Sequence, residues 1–544
     1  MRRFWPLVSL VVVAVILGPR VSAQGEWLVP SDEIVLDGIP KIPATLGKVT
    51  EAFKAVLNDS LIGWDPVKPS PVIVRKGYDT WTVGLVEEPG GSPLVMVPAA
   101  TYDVYSHPGG KYLLFRVDAG NEHYQLYRSN VDTSDATLLT DGKSTNLYPC
   151  WSNSGEWLMY SSNRRNGKDL DVYMINPLDP KSDRMVAKLE GEDWAVFDWS
   201  PDDKKVILSD LVSSNETYLW VLDLETGAKN LITPQNGREK VFNGSYAQFS
   251  RDGKGIYHLT DRDSDFQRLA YLDLETKRYR YLTNHIKWDV EEFVLSPDRT
   301  MLAFTTNEDG VSRLHVLNIS TDKETPMPRI PVGVISGLNW HANGNLIGFA
   351  LSSPSVPRSV YAIGLKECSL KRWTERNERD SSSQELPEPE AMRWKSFDGR
   401  QISGFLYRPP SHRFIGKRPV IIDIHGGPQL QSRPEFRALA RYFASEIGVA
   451  MVFPNIRGSS GYGKTFTKLD NGALRDDCVK DIGTLLDWIK SQANLDSKRI
   501  MIRGVSYGGY VALSIAEKYN DSICGTIAFA APSNLVTMIT SSDK

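Results

Sequence analysis

Arg499 to Tyr510 reads R-I-M-I-R-G-V-S-Y-G-G-Y. A short apolar run, Ile500 to Ile502, leads into Gly504-Val505-Ser506-Tyr507-Gly508. An apolar stripe on Ala512, Ile515, Ala516 and Tyr519 then leaves it at helical spacing. The reading is strand, sharp turn, helix, with G-x-S-x-G on the turn. Glycines flank the serine because a tight strand-to-helix turn brings backbone against backbone, where a Cβ would clash. Such an elbow lifts the Ser506 hydroxyl out of the sheet and sets it at the positive end of a helix, among free N–H groups. Ordinary glycine-rich turns carry the same five-residue pattern, so its meaning depends on the rest of the chain.

At 544 residues the chain is too long for one core; about 150 residues per domain implies three or four units. Charged residues make up 24% and hydrophobic ones 41%, an ordinary globular balance. A net charge of -3 without any dense Lys/Arg run argues against a nucleic-acid surface. Arg2 and Arg3 precede an apolar run from Phe4 to Leu17, and Val21-Ser22-Ala23 ends on a small residue. That layout predicts a secretory signal peptide over 1–23, cleaved before Gln24, with an uncleaved anchor as the alternative. Loss of Arg2, Arg3 and Arg20 takes the net charge from -3 to -6. The mature protein is thus expected to be mildly acidic, exported to the periplasm or the extracellular space, and free of the membrane. Cys150, Cys368, Cys478 and Cys524 are far apart with no histidine partners nearby, so no zinc site is expected and buried free thiols are.

From Trp64 to Trp373 a turn signature recurs before β-rich runs: Ser106-His107-Pro108-Gly109-Gly110-Lys111, Ser152 to Glu156, Ser200 to Lys204, Ser250 to Lys254 and Ser296 to Arg299. The marker serines are 46, 48, 50 and 46 residues apart. A degenerate copy at Trp340 to Asn345 and a first one at Trp64-Asp65-Pro66 bring the number to seven. An all-β period in the forties with a hairpin turn in a fixed place is that of a four-stranded propeller blade, of the WD40-like kind. Glu291-Glu292 invites comparison with paired acids that hold a substrate amine. Their place in an alternating strand before a marker predicts a solvated or rim-facing pair instead.

Residues 376–390 are polar, charged and proline-bearing, and read as a linker. Beyond them Met392 to Phe397 and Ile402 to Tyr407 make a hairpin about Asp398-Gly399. Continuous apolar strands then alternate with helices: Val420 to Ile424, Val449 to Phe453, a helix bearing Val479, Ile482, Leu485, Leu486 and Ile489, the elbow, and Thr526 to Ala530. Strands without polar alternation predict a parallel sheet covered on both faces. His425-Gly426-Gly427-Pro428 follows the first of these strands, and a glycine there lets a backbone N–H point at a substrate oxygen. Gly427 and Tyr507 are the two candidate oxyanion donors, each worth about 3–4 kcal/mol in a transition state.

The motifs H-G-G-P at 425–428, N-I-R-G-S-S-G-Y-G at 455–463 and G-V-S-Y-G-G-Y at 504–510, with the repeats, resemble the prolyl oligopeptidase family of serine peptidases. The nearer likeness is to its acylaminoacyl-peptidase and dipeptidyl-peptidase-like branch. The resemblance implies a β-propeller over 24–375, lead-in included, and an α/β-hydrolase domain over 391–544. It implies hydrolysis of short peptides by acyl transfer through Ser506, with the propeller limiting substrate size and no metal or organic cofactor. It leaves His425 a structural part of its loop. An esterase on the same scaffold and a non-catalytic propeller that binds a partner are the rival readings.

One feature departs from the family's pattern. The acid and histidine of the triad follow the nucleophile in this fold, whereas the last histidine here is His425. Asp521, within the connection after the elbow's helix, and Asp543, in the final residues, occupy no plausible strand end. The expectation is a hydrolase domain incomplete at its C-terminus, a fragment of a longer product, inactive as it stands because Ser506 has no base.

Overall fold

The computed structural model describes residues 22–24, 27–29, 40–47, 56–77, 81–99, 103–118, 123–130, 135–213, 215–234, 240–244, 246–375 and 388–536. The leader read in residues 1–23 lies almost wholly outside them, as do positions 376–387 of the linker and Asp543. No helix among the described residues is long and apolar enough to cross a membrane. The chain divides into two compact units, Met1–Val56 and Leu57–Lys544. The first contains a two-stranded antiparallel ribbon, Ser22–Gln24 with Trp27–Val29.

The second unit opens with seven antiparallel four-stranded sheets. They span 58–99, 103–138, 146–187, 194–231, 247–281, 289–324 and 334–372, blades 1 to 7. The marker serine explains why one turn recurs. In blades 4, 5 and 6 its hydroxyl donates to the aspartate two residues on, at 2.6, 2.7 and 2.6 Å. It also accepts the N–H that opens the next strand, Lys205, Gly255 or Met301, at 2.9 to 3.0 Å. The residue between is left-handed: Gly253 in blade 5, but Asp203 (φ 55°) and Arg299 (φ 54°) in blades 4 and 6. The serine–aspartate frame holds that conformation even where glycine is absent. Blade 1 packs on blade 7 through Leu61, Trp64 and Ile73 against Val360, Ala362 and Trp373, and backbone bonds from Asp59 N–H to Arg358 O (2.8 Å) and Gly90 N–H to Trp373 O (2.9 Å) join them as the ring closes.

The hydrolase half is a six-stranded sheet. Its strands are β1 (Glu390–Lys395), β2 (Gln401–Tyr407), β3 (Arg418–Ile424), β4 (Ala450–Asn455), β5 (Leu495–Val505) and β6 (Gly525–Phe529). Their order is β1-β2-β4-β3-β5-β6, with the last four parallel. Successive residues of β3 serve opposite faces. Val420, Ile422 and Ile424 meet helices α1 (Asp476–Ser491) and α2 (Tyr507–Lys518); Ile421 meets Ala440, Ala444 and Phe453. This two-sided burial is why the strands read as unbroken apolar runs. β5 extends well beyond Ile500–Ile502, because its polar first half pairs irregularly with β3, Leu495 lying opposite Arg418 before the register shifts. On β6, Ile527 and Phe529 are partly exposed, at 39% and 48%.

Two expectations need correction. Cys478 is buried and Cys150 half-buried, but the free thiols of Cys368 and Cys524 are exposed. Nor is the glutamate pair a solvated rim: Glu292 is 8% exposed and Glu291 is half-buried. A register shift between Val290 and Glu292 breaks the alternation of that strand, so consecutive acids both find protein partners.

Candidate active site

Ser506 stands between β5 and α2 with φ 55° and ψ -122°, a left-handed strain imposed on a non-glycine residue. Its neighbours show why the turn is glycine-rich. A Cβ on Gly504 would lie 2.0 Å from the Gly508 carbonyl oxygen, and one on Gly508 would lie 2.1 Å from that of Ile424. The elbow is thus pressed onto the end of β3 and the first residues of the H-G-G loop. The Ser506 N–H is spent on Phe529 O (2.9 Å), and its carbonyl accepts the Tyr510 N–H (3.1 Å) to start α2. Its side chain is left exposed. As the first residue of α2, Tyr507 has a backbone N–H with no partner inside the helix.

The H-G-G loop lies alongside. A Cβ on Gly426 would be 3.5 Å from Ser506 Cβ and 3.3 Å from Val505 O. Gly427 has φ 117° and precedes a cis peptide to Pro428, a backbone course closed to other residues. Gly426, which precedes Gly427, therefore lies against Ser506, the residue before Tyr507. His425 is half-buried, with Nδ1 donating to Gly426 O at 2.7 Å and Nε2 2.9 Å from Ser459 Oγ. Burial pushes its pKa down to about 4, so the ring is neutral and engaged at both nitrogens. All eight histidines are among the described residues. Six belong to the propeller, and exposed His412 follows β2, a strand that β4 and β3 separate from β5 and the elbow. Asp521 is exposed beyond the C-terminal end of α2, a helix about 18 Å long by its twelve residues.

Three features had no reading in the sequence. Behind the elbow, Tyr507 Oη donates to Asp470, 2.7 Å from both oxygens, and lies 3.3 Å from Cys478 Sγ. Asp470 is fully buried, and burial pushes its carboxyl up to about 6 against the pull of the Tyr507 hydrogen bond. Nothing in the local D-N-G string distinguishes it from a surface turn. Next, Arg457 of the N-I-R-G motif is buried against Asp481 of α1. Finally, Arg433, beyond the H-G-G loop, reaches Glu291 of blade 6 at 2.7 Å.

The Asp470 carboxyl gives a pH-dependent prediction. Its folded pKa, about 6, lies above the unfolded 3.8, so the native state holds the proton more tightly. The burial penalty is absent at low pH and grows as pH rises through 4 to 6. Asp470→Asn is expected to stabilise the protein by about 2–3 kcal/mol at pH 8, at about 1.4 kcal/mol per pKa unit, and by almost nothing at pH 3, below both pKa values. Urea midpoints of both proteins at the two pH values check this; an equal shift at both would refute the buried-charge account.

The comparisons with known proteins fit this architecture. Residues 103–376 match the model of the prolyl oligopeptidase N-terminal beta-propeller domain, and residues 434–544 match that of the prolyl oligopeptidase family. The chain is 24% identical over 354 residues to dipeptidyl-peptidase 5 of Porphyromonas gingivalis, covering 62% of this chain and 50% of the relative. It is 23% identical over 415 residues to the uncharacterized peptidase YuxL of Bacillus subtilis, covering 73% and 55%. A Mycobacterium tuberculosis puromycin-hydrolyzing peptidase superposes with a TM-score of 0.74 at 17% identity, over 90% of this chain and 80% of that one. The propeller and the nucleophile-elbow sheet define the class, a propeller-bearing α/β-hydrolase. The chain belongs to the prolyl oligopeptidase family, which is one of serine peptidases. It spans about half the length of the curated relatives it matches.

Proposed function

We propose that this chain carries the nucleophile and oxyanion half of a serine peptidase that cleaves short peptides, exported through the leader at 1–23. Ser506 attacks the scissile carbonyl, and the Gly427 and Tyr507 N–H groups stabilise the resulting oxyanion. The propeller limits substrates by size. The observation that carries this reading is the strained, exposed Ser506 pressed against the H-G-G loop. The names of the relatives, among them dipeptidyl peptidases, support peptide substrates.

The 544 residues hold no histidine placed to take the Ser506 proton, so the polypeptide by itself is inactive on peptides. An exposed serine beside a preformed oxyanion hole should still respond to a base from solution. Fluorophosphonate labelling of Ser506 is expected to rise about tenfold or more in molar imidazole, and to vanish in Ser506→Ala. Triad-deleted serine proteases keep roughly 10³-fold catalysis through binding and oxyanion contacts alone, which sets the scale. Labelling no faster than in the alanine variant would sink the proposal and favour a propeller that binds peptides without cleaving them.

A further inference from the structure

The stretch after Gly427 is held from two sides. From the hydrolase, Asn455 brackets Ser432, accepting its N–H at 2.7 Å and donating to its carbonyl at 3.0 Å, while Leu430 O accepts the Ser460 N–H at 3.1 Å. From the propeller, Asn307 donates to the Gln431 side chain at 2.6 Å, and Ser352 Oγ of blade 7 accepts the Phe436 N–H at 3.1 Å. Arg433 makes the densest link. Its guanidinium donates to Glu291 at 2.7 Å, to Gly310 O at 2.8 Å and to Ser312 Oγ at 2.9 Å, so one planar fork satisfies three acceptors on blade 6. Glu291 also accepts from Asn307 at 2.9 Å, joining the Gln431 and Arg433 contacts into one network.

These contacts are half-buried, where a charge-assisted fork is worth more than a surface pair. They all lie within nine residues of Gly427, on a loop with no regular secondary structure of its own from 425 to 437. A loop of that length keeps its course only through such anchors. The second acid of the pair, Glu292, serves a different joint: its Oε2 accepts the Gly337 N–H of blade 7 at 3.1 Å. Glu291 alone faces the hydrolase.

We propose that the propeller is a working part of the oxyanion loop: Arg433 is a positioning residue that, through Glu291 of blade 6, fixes the course of the loop bearing Gly427. This rests on the assignment of Gly427 as an oxyanion donor. A propeller that shifts relative to the hydrolase sheet then alters the loop directly, so docking of the two halves sets the readiness of the site as well as access to it.

Hydrogen exchange read by mass spectrometry on the intact chain tests the link without needing turnover. In Glu291→Ala and in Arg433→Ala, amides in peptide 425–433 are expected to exchange about tenfold faster or more. The double variant should go no further than either single one, because both remove the same link. Peptides from β5 and α1 should be unchanged, as should 425–433 in Arg313→Ala, an exposed change on the same blade. Should Arg433→Ala fail to fold, Glu291→Ala, outside the hydrolase half, carries the test. Unchanged exchange at 425–433, or an equal rise throughout the hydrolase sheet, overturns the proposal. Faster exchange with no imidazole-dependent labelling of wild-type Ser506 would keep the mechanical link and discard its catalytic meaning. Slower labelling in Glu291→Ala, with wild-type labelling intact, supports both.

Discussion

Gly508→Ala is expected to abolish the native hydrolase half, with a loss of stability above about 4 kcal/mol or failure to accumulate as soluble protein. The new Cβ would sit 2.1 Å from Ile424 O and 2.5 Å from His425 O. Both obstacles are backbone atoms at the end of β3, a strand hydrogen-bonded on both sides, so no side chain can swing away. Ordinary overpacking costs about 1–3 kcal/mol because rotamers yield; here the sheet itself would have to part. Gly504→Ala, 2.0 Å from the Gly508 carbonyl, should be as severe. Gly509→Ala, 2.7 Å from Ala531 Cβ and 3.0 Å from Phe529 O, should be milder. Gly525→Ala, with nothing within 4 Å, should be near neutral. Denaturation midpoints across the four variants give the check, and a severe Gly525→Ala or a benign Gly508→Ala would contradict the elbow geometry.

The same residues separate what local sequence carries from what only the fold creates. The elbow, the H-G-G loop and the blades were legible because each is a local string forced by local sterics: glycine where a Cβ collides, serine and aspartate where a tight turn needs acceptors. Seven repeats of one turn then fixed the architecture without any long-range contact being known. Contacts with no local signature stayed hidden. Asp470 looks like any loop acid until the chain folds it under Tyr507, thirty-seven residues on. Glu291 and Glu292 misled because alternation assumes an unbroken register, and a bulge defeats it. Arg433 lies 142 residues from its partner Glu291. No periodicity reports a pairing at that range.

Asp481→Ala should be nearly as damaging as the glycine change, for an electrostatic reason. Asp481 is fully buried and accepts the Arg457 backbone N–H at 2.9 Å, two guanidinium N–H groups at 3.0 and 2.7 Å, and the Ser396 hydroxyl at 2.5 Å. Its removal strands a buried guanidinium whose other carboxylates, Asp398 and Asp477, are no nearer than 3.4 Å. Breaking a buried pair from one side typically costs 3–5 kcal/mol, so a loss of about 4 kcal/mol is expected. Arg457→Met should cost a similar amount, whereas the double variant, with neither charge left unpaired, should recover about half or more of the summed loss. The cluster ties the β1–β2 turn, α1 and the loop after β4 together. That last loop carries Ser459, which holds His425 at the head of the H-G-G segment. Loosening it should therefore reach the site: exchange at 425–430 should rise in Asp481→Ala and fall back in the double variant. Additive losses in the double variant would mean that the two residues act separately, and that the site does not depend on their pairing.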